Sequence, residues 1–266
     1  MNLMKTTEPD CAEAEPTPFD DGELYDVLFR SFGYDLDFYL KLVAETPGPV
    51  LEVSCGTGRV LLPCLQRGAD IEGIDLSPVM LATLHRKAAE LGLAPSVQAA
   101  DMRSFSLPRR YQLILIPFNG FVHCLTGADQ LAALRCCRDH LLPGGQLVLN
   151  IFYPGLEILN GPQGEPVLEG EVQHPVTGLP VRIYDTRTLD RIAQIQHSQV
   201  EIQELNAAGE VVASHRSRTA MRWTFKPEME LLLQVAGFAR WRICGGFEGQ
   251  PLTREDEPMV VHAWNA

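Results

Sequence analysis

The stretch Val50-Leu51-Glu52-Val53-Ser54-Cys55-Gly56-Thr57-Gly58-Arg59 decides how this chain is read. It is a short apolar strand that runs into a loop with two glycines, and it carries a carboxylate, Glu52, just before the turn. Glycine loops after a first strand commonly meet a pyrophosphate with backbone N–H groups and a helix N-terminus. A negative charge beside such a loop would repel phosphate in a partly desolvated pocket and attract a cationic or hydrogen-bond-donating ligand. The third glycine of the dinucleotide pattern G-x-G-x-x-G is also missing, because Leu61 stands three residues after Gly58.

From Val50 onward, short apolar runs alternate with amphipathic ones: VLEV, RVLLPCLQRG, DIEGID, SPVMLATLHRKAAELG, SVQAAD, YQLILIPF, GADQLAALRCCRDHLLPGG and QLVLNIF. Strands buried on both faces read as continuous Val/Ile/Leu runs, and helices between them force a parallel sheet with right-handed crossovers. Ser77-Pro78 supplies a helix N-cap followed by proline in the first turn, and Pro143-Gly144-Gly145 is expected to stop a helix before the fifth strand. Between Pro154 and Phe225, turn clusters separate extended runs of strand period, with Asn206-Ala207-Ala208-Gly209 as a hairpin turn. KPEMELLLQVAGF reads as a helix ended by Gly237, and the last two strands, ARWRICGGF and PMVVHAWNA, lie too close in sequence for a crossover helix, so they should pair antiparallel.

The expected fold is a doubly wound α/β sheet of seven strands with an antiparallel last strand, a Rossmann-like arrangement with an inserted antiparallel β-sheet. Residues 50–152 and 226–266 form the core, 21–49 a helical cover, 153–225 the inserted subdomain and 1–20 a mobile acidic tail.

A chain of 266 residues with 45% hydrophobic content can bury a sizeable core. Its formal net charge of -12, from 34 acidic and 22 basic residues, argues against a nucleic-acid partner. No apolar run reaches the length of a membrane span, and the acidic, proline-bearing start is unlike a signal peptide, so no membrane association and a cytoplasmic location are expected. The seven cysteines are odd in number and lack CxxC or Cys/His spacing, which predicts reduced thiols and no metal site.

Two further acids extend the argument from Glu52. Asp75 ends the second strand, where a carboxylate accepts hydrogen bonds from vicinal ribose hydroxyls, a device a nicotinamide enzyme would share. Asp101 ends the third, where it can accept from an adenine amine or merely cap the following turn, while Met102 packs on the ring. S-adenosyl-L-methionine has no phosphate and presents an ammonium, a sulfonium, two ribose hydroxyls and an adenine, so it suits this row of acids.

VLEVSCGTGRVLLPCLQRGADIEGIDLSP resembles the first two motifs of the class I S-adenosylmethionine-dependent methyltransferases, of the methyltransferase domain 25 type, and ADMRSFSLPRRYQLILIPFNGFVHCLTGADQLAALRCCRDHLLPGGQLVLNIF resembles their later motifs. The terminal hairpin is similar to that fold's reversed last strand. The resemblance covers residues 20–152 and 226–266 and departs at Ser54, where the family usually has glycine. It implies S-adenosylmethionine as cofactor, without metal, held by Glu52, Ser54, Gly56, Thr57, Gly58, Asp75, Leu76, Asp101, Met102, Pro117 and Phe118.

The YDxLF segment and the inserted sheet look like those of small-molecule N-methyltransferases, amino-sugar dimethyltransferases among them, which implies acceptor-side roles for Tyr25 and His123. A lone histidine and an aromatic at helical spacing also have purely structural uses. Arg30 and Arg59 are candidates for the donor carboxylate, and Arg222 and Trp223 for the acceptor pocket, with packing the alternative for Trp223. The implied activity is in-line methyl transfer to a small-molecule acceptor, at nitrogen or oxygen. A silent cofactor-binding scaffold and a nicotinamide-dependent oxidoreductase are the competing readings. The exposed antiparallel edge predicts a homodimer.

Overall fold

The computed structural model describes residues 16–29, 33–174 and 177–266. Strands β1 (Val50–Val53), β2 (Ile71–Asp75), β3 (Ser96–Ala99), β4 (Tyr111–Ile116) and β5 (Leu141–Ile151) lie parallel in the order β3-β2-β1-β4-β5. The sheet continues through β12 (Met259–Trp264), antiparallel to β5, and β10 (Arg240–Gly245), antiparallel to β12. A two-residue strand, β11 (Gln250–Pro251), pairs with β10 and makes the sheet eight-stranded rather than seven.

The apolar runs sort onto two faces because strand side chains alternate. Leu113 and Leu115 of β4 pack with Leu61 of α3 (Leu61–Gln66), Leu84 of α4 (Pro78–Glu90) and Tyr39 of α2 (Leu36–Glu45). Ile114 and Ile116 pack on the other face with Leu134 of α5 (Gly127–His140) and Leu233 of α7 (Lys226–Ala236). Each such fully buried aliphatic side chain contributes about 1.5–3 kcal/mol.

Ser77 caps α4 by accepting from the Met80 amide, and Gly237 ends α7 in the left-handed region at φ 89°. Helix α5 stops at His140, ahead of Pro143-Gly144-Gly145. Those three residues instead lie inside β5, because buried Leu141 already pairs with Tyr111 and the glycines absorb a register shift before Leu113.

Between α6 (Leu156–Asn160) and α7, strands β6 (Pro166–Gln173), β7 (Pro180–Asp190), β8 (Ile195–Leu205) and β9 (Val211–Arg222) form a separate antiparallel sheet in sequence order. Its inner face, with Val181, Ile183, Val200 and Ile202, packs on Leu24 and Leu28 of α1 (Gly22–Phe29). Arg222 ties it to the core, donating to Gln130 Oε1 at 2.7 Å, Gln194 Oε1 at 3.1 Å and Glu228 Oε1 at 2.6 Å.

Residues 16–20 depart from the expected mobile tail; residues 1–15 lie outside the described residues. Thr17 and Asp20 form a capping box around a short 3-10 helix, Pro18–Asp20, and Ser77 Oγ donates to the Phe19 carbonyl at 2.9 Å. Reciprocal capping and Phe19's ring contacts fix this segment against the core. No helix among the described residues is long and apolar enough to cross a membrane. The described cysteines are free thiols, buried except for half-buried Cys136.

Arg222 stands with its side chain 10% exposed at the joint between sheet and core. Removing it strands acceptors on fully buried Gln130 and half-buried Glu228, so Arg222→Ala is expected to lower stability by about 3 kcal/mol in urea unfolding, with retained secondary structure by circular dichroism.

Candidate active site

At the carboxyl edge of the parallel strands lies a cavity of about 580 Å³, walled by the loops after β1, β2, β3 and β4 and roofed by residues 17–25. Ligands of wound sheets bind at this edge, where strand ends and helix starts diverge. Of the residues singled out in the sequence, Tyr25, Glu52, Ser54, Gly56, Thr57, Asp75, Leu76, Asp101, Met102, Pro117, Phe118 and His123 line it. Gly58 does not. Its φ is +85°, and a Cβ there would press on Leu62 and Leu84 at 2.8–3.0 Å, so this glycine lets the loop pack on α3 and α4.

Glu52 is the unusual group. Its side chain is 2% exposed, yet Oε2 has no hydrogen-bond partner. Burial pushes its carboxyl up to about 8; Arg59 and the Leu61 amide oppose this, while Asp75 and Asp35 add to it. Asp75 is better satisfied, accepting from the amides of Gly56 and Ser77 at 2.8 Å each, and burial raises its carboxyl despite those bonds. The carboxylate thereby holds the glycine loop while still facing the cavity.

Thr57 Oγ1 donates to Asp26 Oδ1 at 2.5 Å, and Lys87 Nζ donates to Asp26 Oδ2 at 2.6 Å. Thr57, expected at the cofactor, lines the cavity while its hydroxyl fastens α1 to the loop. Arg59 grips Asp35 with both terminal nitrogens, at 2.5 and 2.8 Å, and its guanidinium lies 4.6 Å from the Phe118 ring centroid. Arg30, the other candidate for a donor carboxylate, lies outside the described residues.

Three non-glycine residues with positive φ gather at this edge: Ser54 at 59°, Phe118 at 50° and Asn119 at 63°. Left-handed backbone at Ser54 accounts for glycine being usual at that position. Ser54 fits because Gly120 faces it: a Cβ on Gly120 would lie 3.0 Å from the Ser54 Cβ. Phe118 is held by its amide donating to Asn150 Oδ1 at 2.9 Å, an oxygen that also accepts from Tyr39 at 2.6 Å. Asn119 Oδ1 accepts from the Phe152 amide at 2.7 Å.

Asp101 accepts from the Arg103 amide at 2.9 Å, the turn-capping role, and is clasped by the Arg103 guanidinium at 2.5–3.0 Å, which holds its carboxyl below the usual range. Met102 lines the cavity with its sulfur 3.5 Å from Cys124 Sγ, and Leu76, 69% exposed, presents a bare apolar face at the mouth.

On the opposite side stand aromatic rings. The Phe19 and His123 centroids lie 5.1 Å apart edge to face, and Phe19 and Tyr25 6.0 Å apart. His123 Nδ1 lies 3.3 Å from the Ala220 carbonyl oxygen, which can only accept, so Nδ1 carries the proton and Nε2 keeps a lone pair. Surrounding protein lowers the His123 pKa, against the raising effect of that carbonyl, and the ring is neutral near pH 7. Burial raises the Tyr25 phenol far above its ordinary value, so it stays protonated. Arg222 and Trp223 are not on the cavity: the arginine is spent on the joint, and Trp223 is 2% exposed in packing.

Sequence reasoning missed Asp26, Asp35, Asn150 and Phe19. Their roles come from contacts 24 to 61 positions away or more, and no local pattern marks them.

The wound sheet, its reversed strand and this acid-rimmed cavity define a Rossmann-like methyltransferase fold, and residues 50–145 match the family model described as "Methyltransferase domain". Among curated relatives, the dTDP-3-amino-3,6-dideoxy-alpha-D-glucopyranose N,N-dimethyltransferase of Streptomyces fradiae is 31% identical over 138 residues, 49% of this chain and 52% of that protein. The cypemycin N-terminal methyltransferase of a Streptomyces species is 24% identical over 212 residues, 80% of this chain and 81% of that one. This chain spans about half the length of the first of these relatives. A solved S-adenosylmethionine-dependent methyltransferase from Clostridium acetobutylicum superimposes with a TM-score of 0.73 at 17% identity, covering 91% of this chain and 96% of the other, and shows the shared fold.

The Glu52 shift makes a pH prediction. Between its ordinary value of 4.5 and about 8 the folded state holds a proton that the unfolded state has lost, so this group's stabilising contribution is whole below 4.5 and wanes as pH rises to about 8. Glu52→Gln should therefore gain stability relative to the parent as pH rises through that window, by at most about 1.4 kcal/mol per pH unit, measured by denaturant titration at several pH values.

Proposed function

We propose that this chain is an S-adenosylmethionine-dependent methyltransferase acting on a nitrogen of a small-molecule acceptor. The single observation that carries this reading is the unpartnered Glu52 oxygen, buried at the end of the central strand beside the glycine loop. An ammonium donor satisfies that oxygen, whereas a pyrophosphate opposes it. Asp75 offers its carboxylate to ribose hydroxyls, and Leu76 and Met102 offer apolar surface to an adenine. These residues fit the cofactor. When bound, it supplies a methyl group activated on a sulfonium.

The chain's own part is alignment and proton handling in a dry pocket. Phe118, fixed at positive φ by Asn150, sets the rim between donor and acceptor sides. His123 is oriented by Ala220 so that the Nε2 lone pair can take an amine proton or accept its hydrogen bond. Tyr25, a neutral phenol, can donate or accept but is not a base. The relatives named above are, by their names, an N,N-dimethyltransferase of a dTDP-linked amino sugar and an N-terminal methyltransferase, which supports nitrogen as the acceptor atom. Turnover separates this reading from a silent cofactor-binding scaffold. A homodimer through the exposed β6 edge also fits, since the opposite edge, β9, is engaged by Pro16 and His123.

Calorimetric titration with S-adenosylhomocysteine is expected to show binding with proton release at pH 6–7, because Glu52 must ionise to meet the ammonium, and Glu52→Gln should abolish that release. Binding of NADH in its place would reverse the reading. With an amine acceptor, His123→Asn should lower kcat by about 100-fold and Tyr25→Phe by less, assayed with labelled donor.

A further inference from the structure

The cavity's charges point to the kind of molecule that is methylated, an inference that rests on the methyltransferase reading above. Four acidic side chains line the cavity, Asp20, Glu52, Asp75 and Asp101, of which Glu52 is committed to the donor's ammonium, against two guanidinium groups, Arg59 and Arg103. Both cations are already matched by carboxylates. Arg59 is bound bidentately by fully buried Asp35, and Arg103 is shared between Asp101 and Asp129, the latter at 2.9 Å. Lys87, behind the wall, ends on Asp26.

On the inserted sheet, Arg187, whose strand neighbours Val181 and Ile183 face the core, is likewise matched by Asp185 and Glu169. The field seen by an entering molecule is therefore set by surplus carboxylate, with exposed Asp20 at the mouth. At the acceptor end, Phe19, Tyr25 and Phe118 add electron-rich ring surface, which attracts ammonium groups.

We propose that the acceptor is an amine that carries no phosphate and reaches the site as a cation. A nucleoside-diphosphate-linked amine would bring its negative charges against these carboxylates, where the arginines that would normally clasp phosphate are committed. A protonated amine instead gains from both the acidic rim and the rings. Once docked, its N–H bond breaks with the electron pair left on nitrogen, and the proton passes to His123 Nε2. The positive charge thus moves onto the imidazole inside the same acidic field, and the freed lone pair is the nucleophile.

The test uses the full chain saturated with S-adenosylhomocysteine, titrated in a calorimeter with a free amino-hexose, a short peptide with an unblocked N-terminus and the nucleoside-diphosphate form of the same amino-hexose. At least one phosphate-free amine is expected to bind, at least tenfold more tightly than the nucleotide form. Its affinity should fall several-fold between about 0.05 M and about 0.5 M salt. Which of the two binds identifies the source of the amine. Asp20→Asn should weaken binding and flatten the salt dependence, while Thr17→Ala, which breaks the same capping box without removing charge, should keep that dependence.

Tighter binding of the nucleotide form overturns the proposal, as does salt-independent affinity, an Asp20→Asn variant indistinguishable from the parent, or equal flattening in Thr17→Ala. Failure of both free amines to bind while S-adenosylhomocysteine still binds overturns it too. Failure of S-adenosylhomocysteine itself to bind instead overturns the methyltransferase reading.

Discussion

The buried carboxylate of Glu52 is the constraint around which the rest of the site is arranged. It sits on the central strand β1, between β2 and β4, where 2% exposure removes solvent as a partner. Arg59 acts on it electrostatically while its two terminal nitrogens clasp Asp35, and one oxygen of Glu52 keeps its desolvation cost. A charge-bearing group left this way is a site prepared for a complementary ligand. Its raised pKa reflects that desolvation, which a complementary cation would offset.

Backbone strain gathers at the same edge. Ser54, Phe118 and Asn119 all hold positive φ at the ends of β1 and β4, and each is over-determined by its surroundings. Gly120 leaves room for Ser54, Asn150 grips the Phe118 amide, and Asn119 accepts from Phe152, just past the end of β5. The rigid parallel sheet below fixes these positions.

The roof is assembled from distant parts of the chain. Residues 16–29 are held by Ser77, Thr57 and Lys87, and the β9 edge reaches them through the Arg218 amide and the Pro16 carbonyl. The same edge supplies the carbonyl that orients His123. Core, cover and inserted sheet therefore meet around His123, while the glycine loop is held by the core and by Asp26 and Asp35 of the cover.

That division explains what could be read in advance. The strand runs, the capped helix after Ser77, the reversed terminal hairpin and the acids at three strand ends follow from local periodicity and from the geometry of a wound sheet, so the sequence by itself determined the core and the donor edge. The roles of Gly58, Thr57 and Arg222 did not follow, because each depends on which atoms the fold brings within 3 Å or so, and a motif records position without recording partners. The place where α5 ends was likewise decided by Leu141 pairing with Tyr111, a long-range contact that outweighed a local stop signal. Only the tertiary structure decided that both cavity arginines are neutralised and that His123 presents Nε2, since charge matching and tautomer choice are set by contacts between segments far apart in the chain.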